Sequence, residues 1–206
     1  MIASVPRGRW ALGACAVVAA LSGCSAMAEP AAAVSEHEAR AAVADVIATA
    51  SQRTPAAMKQ LCEANDGCMG MSSSLESDPG SAPGPEAAPE VLCVVGIPPT
   101  PSQDGSQLVV LEGVDGRGRH YVSQVLVDRA ATGDEAGRLE VQEPAFWLGV
   151  AYTALQGGRS WDSLTDVPEQ QIEHNARARR PCDDTAAWLA EVSGHPAATA
   201  SRASSA

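Results

Sequence analysis

The amino-acid sequence predicts an α+β fold: two N-terminal helices, then an antiparallel β-sheet, then extra C-terminal helices. Three observations carry this. Apolar residues recur at helical spacing between residues 36 and 62, they change to short β-type runs between 91 and 142, and helix-start signals return near residues 166 and 183. A stripe at i, i+3 and i+4 presents one apolar helix face, whereas short runs separated by turn residues make strands.

Ser35 and Glu38 form an S-x-x-E capping box, and Ala39, Ala42, Val43, Val46, Ile47 and Ala50 follow on one face, which predicts a helix over about 36–51. Thr54-Pro55 offers an N-cap followed by proline at the first helical position, opening a shorter helix to about Cys62 with Met58 and Leu61 inward. From 70 to 90 serine, proline and glycine dominate, which predicts a mobile insert.

Strands are expected at Val91 to Val95, Leu108 to Gly113, Tyr121 to Asp128 and Leu139 to Gln142, the last open to continuation past Pro144 to Trp147. Asp115-Gly116 marks a hairpin turn, and Gly133-Asp134 with Gly137 separates the third run from the fourth; short turns between successive runs imply an antiparallel meander. Asp166-Val167-Pro168-Glu169 starts a helix to about Arg179, and Asp183-Asp184-Thr185 starts another ending at Gly194. The single domain thus spans 35–194, and the small, polar residues 195–206 are expected to be a disordered tail.

Residues 1–23 have the plan of a secretory signal peptide: Arg7 and Arg9, an apolar run from Trp10 to Leu21, then Ser22 and Gly23. The run is about a dozen residues, whereas a helix needs roughly 20 to cross a bilayer, so it predicts a cleaved leader. Its end, Leu21-Ser22-Gly23-Cys24, resembles the lipobox of bacterial prolipoproteins. That resemblance implies diacylglyceryl transfer to Cys24, cleavage before it, and a lipid anchor on the outer side of the cell membrane, with residues 24–34 as a flexible tether. The competing reading is conventional cleavage near Ser25-Ala26-Met27-Ala28, which releases the protein. Cys15 is lost with the leader either way.

The chain has 206 residues and a net charge of −11, and without the two arginines of the leader it is two units more acidic still. Such a surface disfavours nucleic acid and does not by itself adhere to anionic headgroups, leaving attachment to the lipid on Cys24. Lysine occurs once, at Lys59, and alanine is pervasive; an alanine-rich core buries less area per residue, so covalent staples help it. Cys62, Cys68, Cys93 and Cys182 form an even set suited to two disulfides, for which three pairings exist. The favoured pairing is Cys62 with Cys68, across the turn residues Asn65-Asp66-Gly67, and Cys93 with Cys182. Metal binding competes poorly, since the sequence has no C-x-x-C and no histidine near these cysteines.

Two helices before a curved antiparallel sheet is the order of a cystatin-like or nuclear transport factor 2-like cone. The run Leu108-Val109-Val110-Leu111-Glu112-Gly113-Val114-Asp115-Gly116-Arg117-Gly118-Arg119, then Tyr121, a further strand, Arg138-Leu139 and Glu143-Pro144-Ala145-Phe146-Trp147, resembles the sheet of that fold in exported actinobacterial proteins. The resemblance covers about 35–147 and brings no catalytic motif. The long insert and the residues after Trp147 depart from a minimal cone and are placed to cover its open face.

Candidate chemistry is sparse. Arg117, Arg119 and His120 cluster at the hairpin and could bind an anion, although charged turn residues are commonly just solvated. The cone resemblance makes Glu143, Tyr121 and Trp147 candidates for its concavity, where related enzymes keep an acid or base; burial of the aromatics and a strand end at Glu143 are the simpler account. His37 between Glu36 and Glu38 reads as helix capping rather than a metal cluster, because consecutive helical residues diverge. Arg177, Arg179 and Arg180 complete a helix C-terminus or meet an anionic membrane. No histidines stand at i, i+4, and no G-x-S-x-G or P-loop occurs, so no catalytic residue, metal or cofactor is assigned. The expected role is a non-enzymatic binding or scaffold lipoprotein with an envelope protein partner or small ligand. An envelope enzyme using the cone pocket is the alternative. A substrate-capturing transporter component fits less well, because such receptors are larger, two-lobed α/β proteins.

Overall fold

Helix α1, Glu36–Ala50, begins where the capping box requires: Ser35 Oγ accepts from the Glu38 N–H at 3.3 Å and Glu38 Oε2 accepts from the Ser35 N–H at 2.9 Å. Its inward face is Ala39, Val43, Val46 and Ala50. Helix α2, Pro55–Ala64, is capped by Thr54, whose hydroxyl accepts from the Ala57 N–H at 3.1 Å, and buries Ala57, Met58 and Leu61. The computed structural model describes residues 33–65, 68, 71–99, 105–130, 136–155, 158–163 and 167–193. The leader 1–23, Cys24, nearly all of the tether, Asp66-Gly67, Gly133-Asp134 and the tail 195–206 lie outside the described residues.

The segment expected to be a mobile insert is instead helical and packed. It forms α3, Ser72–Ser77, and 3-10 turns at Pro79–Ser81 and Pro85–Ala87, with Leu75, Ser81 and Ala82 buried. The polar composition misleads because main-chain groups make the contacts: the Ser81 carbonyl accepts from the Gly116 N–H at 2.8 Å, and the Gly80 carbonyl accepts from Arg53. A Cβ on Gly116 would lie 1.9 Å from the Gly80 oxygen, so this approach admits only glycine.

Strands β1 (Glu90–Ile97), β2 (Ser106–Val114), β3 (His120–Arg129) and β4 (Leu139–Gln142) form one antiparallel curved sheet in sequence order, as the meander predicts. Asp115 and Gly116 make the β2–β3 turn, with Gly118 at φ +82°. A bulge at Leu92 interrupts β1. Beyond β4 the expected continuation to Trp147 does not occur. Glu143 adopts φ 55°, Pro144 supplies no N–H for a ladder, and the chain turns into a 3-10 segment at Phe146–Leu148 that places Phe146 and Trp147 in the core. Next come β5 (Val150–Leu155) and β6 (Gly158–Ser163), a separate two-stranded hairpin absent from the sequence expectations. Helices α4 (Pro168–Asp183) and α5 (Thr185–Val192) finish the domain.

Strand alternation sends Val109, Leu111, Tyr121, Val125 and Val127 to one face of the sheet, where they meet α1, α2, Leu75, Phe146 and Trp147. Leu108, Val110, Val122 and Leu126 face the other way and meet Ala151, Ala178 and Trp188. Both faces are covered. The favoured cysteine pairing is the one formed: Cys62–Cys68 ties the last turn of α2 to the chain just beyond it, and Cys93–Cys182 fastens α4 to the edge strand β1. Helix α4 runs through Pro181 to Asp183 rather than stopping near Arg179, its end held by that disulfide.

Candidate functional site

His120 and Tyr121 are consecutive in β3, so their side chains leave opposite faces of the sheet. The residues singled out for ligand binding are therefore divided among four places.

Tyr121 and Trp147 lie in the first core at 0% exposure, with Phe146 edge-on to Trp147 at a ring separation of 5.3 Å. Trp147 Nε1 donates to Ser81 Oγ at 3.2 Å. The Tyr121 hydroxyl has no hydrogen-bond partner among the described residues, and burial, then the charge of Asp115, pushes its pKa well above the usual phenol range. Gly113 makes room for it: a Cβ there would stand 2.7 Å from the phenol oxygen. A sealed phenol that keeps its proton is not available for acid–base exchange with a ligand near neutral pH.

Arg117 and Arg119 sit at the tip of the hairpin. Asp115, nearly inaccessible, accepts from the Arg117 N–H at 2.9 Å, the Arg119 N–H at 2.8 Å and Arg119 Nε at 2.8 Å. Arg117 pairs with Asp78 of the packed insert. An anion arriving here has to compete with two carboxylates already in place.

His120 belongs to a third group. Its Nε2 lies 2.8 Å from Glu112 Oε1, its Nδ1 lies 3.3 Å from Asn175 Nδ2, and Arg179 donates to the same Glu112 oxygen. Asn175 is held in turn by the Val122 N–H, 2.9 Å from its Oδ1. Glu112 could have been found from the hairpin register, since residues 112 and 120 share a face when Val114 pairs with His120. Asn175 carried no sequence signal; only the path of α4 brings it there.

Glu143 is half-buried at the strained turn after β4, apart from these groups in the chain path. The basic residues of α4 each meet an acid: Arg177 with Glu173 at 4.0 Å, Arg179 with Glu112, Arg180 with Glu191 of α5. The carboxylates beside His37 are likewise engaged, Glu36 with Arg40 at 2.8 Å and Glu38 with Ser35 and Arg129. An open depression of about 240 Å³ lies between α2 and α3, lined by Lys59, Cys62, Glu63, Cys68, Ser72 and Glu76. It holds none of the residues singled out for ligand binding. Among the described residues no helix is long and apolar enough to cross a membrane, and no group of three His, Cys, Asp or Glu side chains converges as a metal site. No protein-family model matches the chain, and neither a curated protein nor a solved structure matches it.

Proposed function

We propose that this chain is an exported bacterial protein, lipidated on Cys24 and held at the outer face of the membrane. In this reading its α+β domain is a binding or scaffold module and not an enzyme. The observation that carries the second half is the filled interior: the place where a cone-shaped enzyme keeps its acid or base is occupied by Tyr121, Phe146 and Trp147 at 0% exposure. Binding then falls to the outer surface. The first half rests on Leu21-Ser22-Gly23-Cys24 at the end of a short apolar run. Two disulfides fit an oxidising compartment. Two acyl chains, at about 0.8 kcal/mol per buried methylene, supply an anchor that the acidic surface does not.

Labelling with a clickable palmitate analogue in a bacterial producer tests the anchor. The wild type should take up label and partition into detergent, and Cys24→Ala should do neither. Label retained in Cys24→Ala, or a released wild-type protein cut near Ala28, would sink it. Crosslinking in intact cells followed by mass spectrometry tests the role: recurrent capture of one envelope component supports a binding module, whereas turnover of an envelope substrate by the purified domain overturns it.

A further inference from the structure

The cluster where the β2–β3 hairpin meets α4 has its proton positions fixed from one end. The Val122 N–H occupies Asn175 Oδ1 at 2.9 Å, so the amide presents its NH2 group to His120 Nδ1 at 3.3 Å. Facing a donor, Nδ1 accepts, and the ring proton sits on Nε2, where it donates to Glu112 Oε1 at 2.8 Å. The same oxygen takes the Arg179 guanidinium. His120 is neutral in this arrangement, and its side chain is 52% exposed, open to protons from solvent.

We propose that this cluster is a pH-sensitive latch on α4: protonation of His120 loosens the helix from the hairpin. Two effects act in the same direction. A proton on Nδ1 sets a donor against the Asn175 NH2, and Asn175 cannot reverse without abandoning the Val122 N–H. The new charge also places a second cation on the Glu112 oxygen that Arg179 uses. The contact that gains, His120 with Glu112, lies within the sheet and does nothing to hold α4.

The charged groups facing His120 are Glu112 from β2 and Arg179 from α4, while Arg119 beside it in the hairpin is matched by Asp115 at 2.8 Å. His174, buried on α4 next to Asn175, is the histidine of the helix that has to be controlled for. The Cys93–Cys182 disulfide keeps the C-terminal end of α4 attached, so loosening is confined to the half that carries Asn175. The latch belongs to the folded domain and holds whether or not Cys24 is lipidated.

Hydrogen exchange of the α4 amides in the oxidised protein, corrected for intrinsic rates, reads the latch at about pH 7.5 and about pH 5, the range over which histidine changes charge. Loss of one hydrogen bond lowers wild-type protection roughly three- to tenfold at the lower pH. His120→Gln, uncharged at both values, should show no such drop. Asn175→Asp should reverse the sign, because its second carboxylate oxygen accepts from a protonated Nδ1. Unchanged wild-type protection overturns the latch, as does an equal drop in His120→Gln, which assigns the titration to His174, or continued loosening by acid in Asn175→Asp.

Discussion

The two faces of the sheet are held by different physics. The first is sealed by a continuous apolar cluster in which Met58, Leu61, Val109, Leu111, Tyr121, Phe146 and Trp147 interlock across α1, α2 and the turn after β4. The second has a smaller apolar cluster around Leu108, Val110, Leu126 and Trp188, and its covering elements are attached largely by polar joints and one disulfide. Gln124 Nε2 donates to the Ala178 carbonyl at 2.8 Å, its Oε1 accepts from the Tyr152 N–H at 2.7 Å, and Asn175 takes the Val122 N–H. These joints stand where β3 has outrun its neighbour, because β4 pairs with it only from Leu126 to Arg129. There the Asn175 amide takes a β3 main-chain N–H that no strand pairs, and the β3 side chain of Gln124 takes main-chain groups of the elements laid over it. One face is closed by area, the other by bonds.

The largest test of that contrast is removal of the Cys93–Cys182 bridge. It closes a sequence separation of 89 residues, and the chain-entropy model assigns it about 4.6 kcal/mol. Cys93→Ser with Cys182→Ser should lose most of that in urea denaturation and raise the exchange rates of α4 and α5 ahead of those of α1. Uniform loosening of both faces would break the contrast. Next are Leu111→Ala on the first face and Leu108→Ala on the second, both fully buried. Each should cost about 3 to 5 kcal/mol, with Leu111→Ala nearer the upper end because it sits in the larger of the two apolar clusters. Equal or inverted losses would show that the second face is as well packed as the first.

Tyr121→Phe should change stability by less than about 1 kcal/mol at neutral pH, since the hydroxyl it removes has no partner among the described residues. The phenol's folded-state pKa is raised, so its contribution is present below about pH 10 and lost as pH rises above that value. The phenylalanine variant should show a shallower alkaline decline in melting temperature. A large neutral-pH loss would reveal a bond to the hydroxyl. The smallest effect belongs to the capping box. Hydrogen bonds from the Ser35 N–H, then the Ser35 hydroxyl, then Arg129 hold the Glu38 carboxyl down at about 2, against an ordinary 4.5. A depressed folded value gives stability present above pH 4.5 and lost as pH falls from 4.5 to about 2. The stability difference between wild type and Glu38→Gln should shrink across that window in acid melts, and a constant gap would place the effect elsewhere.

Legibility from sequence follows the same division. The two opening helices and the four main strands are local patterns, and their inward residues could be named from period alone, as could the hairpin at Asp115-Gly116. The cysteine pairing was legible because six residues separate one pair and the other two cysteines remained. The insert was misread because Ser81 and Ala82 are buried by a hairpin tip more than thirty residues further on, and nothing local announces that neighbour. The turn after β4 was misread because Glu143 takes a backbone conformation unusual for its type, although Pro144 was a warning against continuing a strand. Of the candidate site, Arg117, Arg119 and His120 lie at one hairpin as expected, but Asp78, which pairs with Arg117, and Asn175, which meets His120, come from segments whose path is set by tertiary packing. Polar joints have no periodicity to read.

The contact between Gly116 and the Gly80–Ala82 main chain has a consequence for how this domain tolerates change. A contact made by backbone with backbone depends on where the chain runs, not on which side chains it carries. Side chains could be exchanged at the exposed Pro85 and Glu86 while the seat for the hairpin tip persisted, but Ser81, whose hydroxyl takes Trp147 Nε1, and the fully buried Ala82 could not. Inserting or deleting one residue between Pro79 and Pro85, by contrast, would shift the carbonyls of Gly80 and Ser81 out from under Gly116. The segment of plainest composition is thus one where geometry sets the length and only the outward-facing spelling is free.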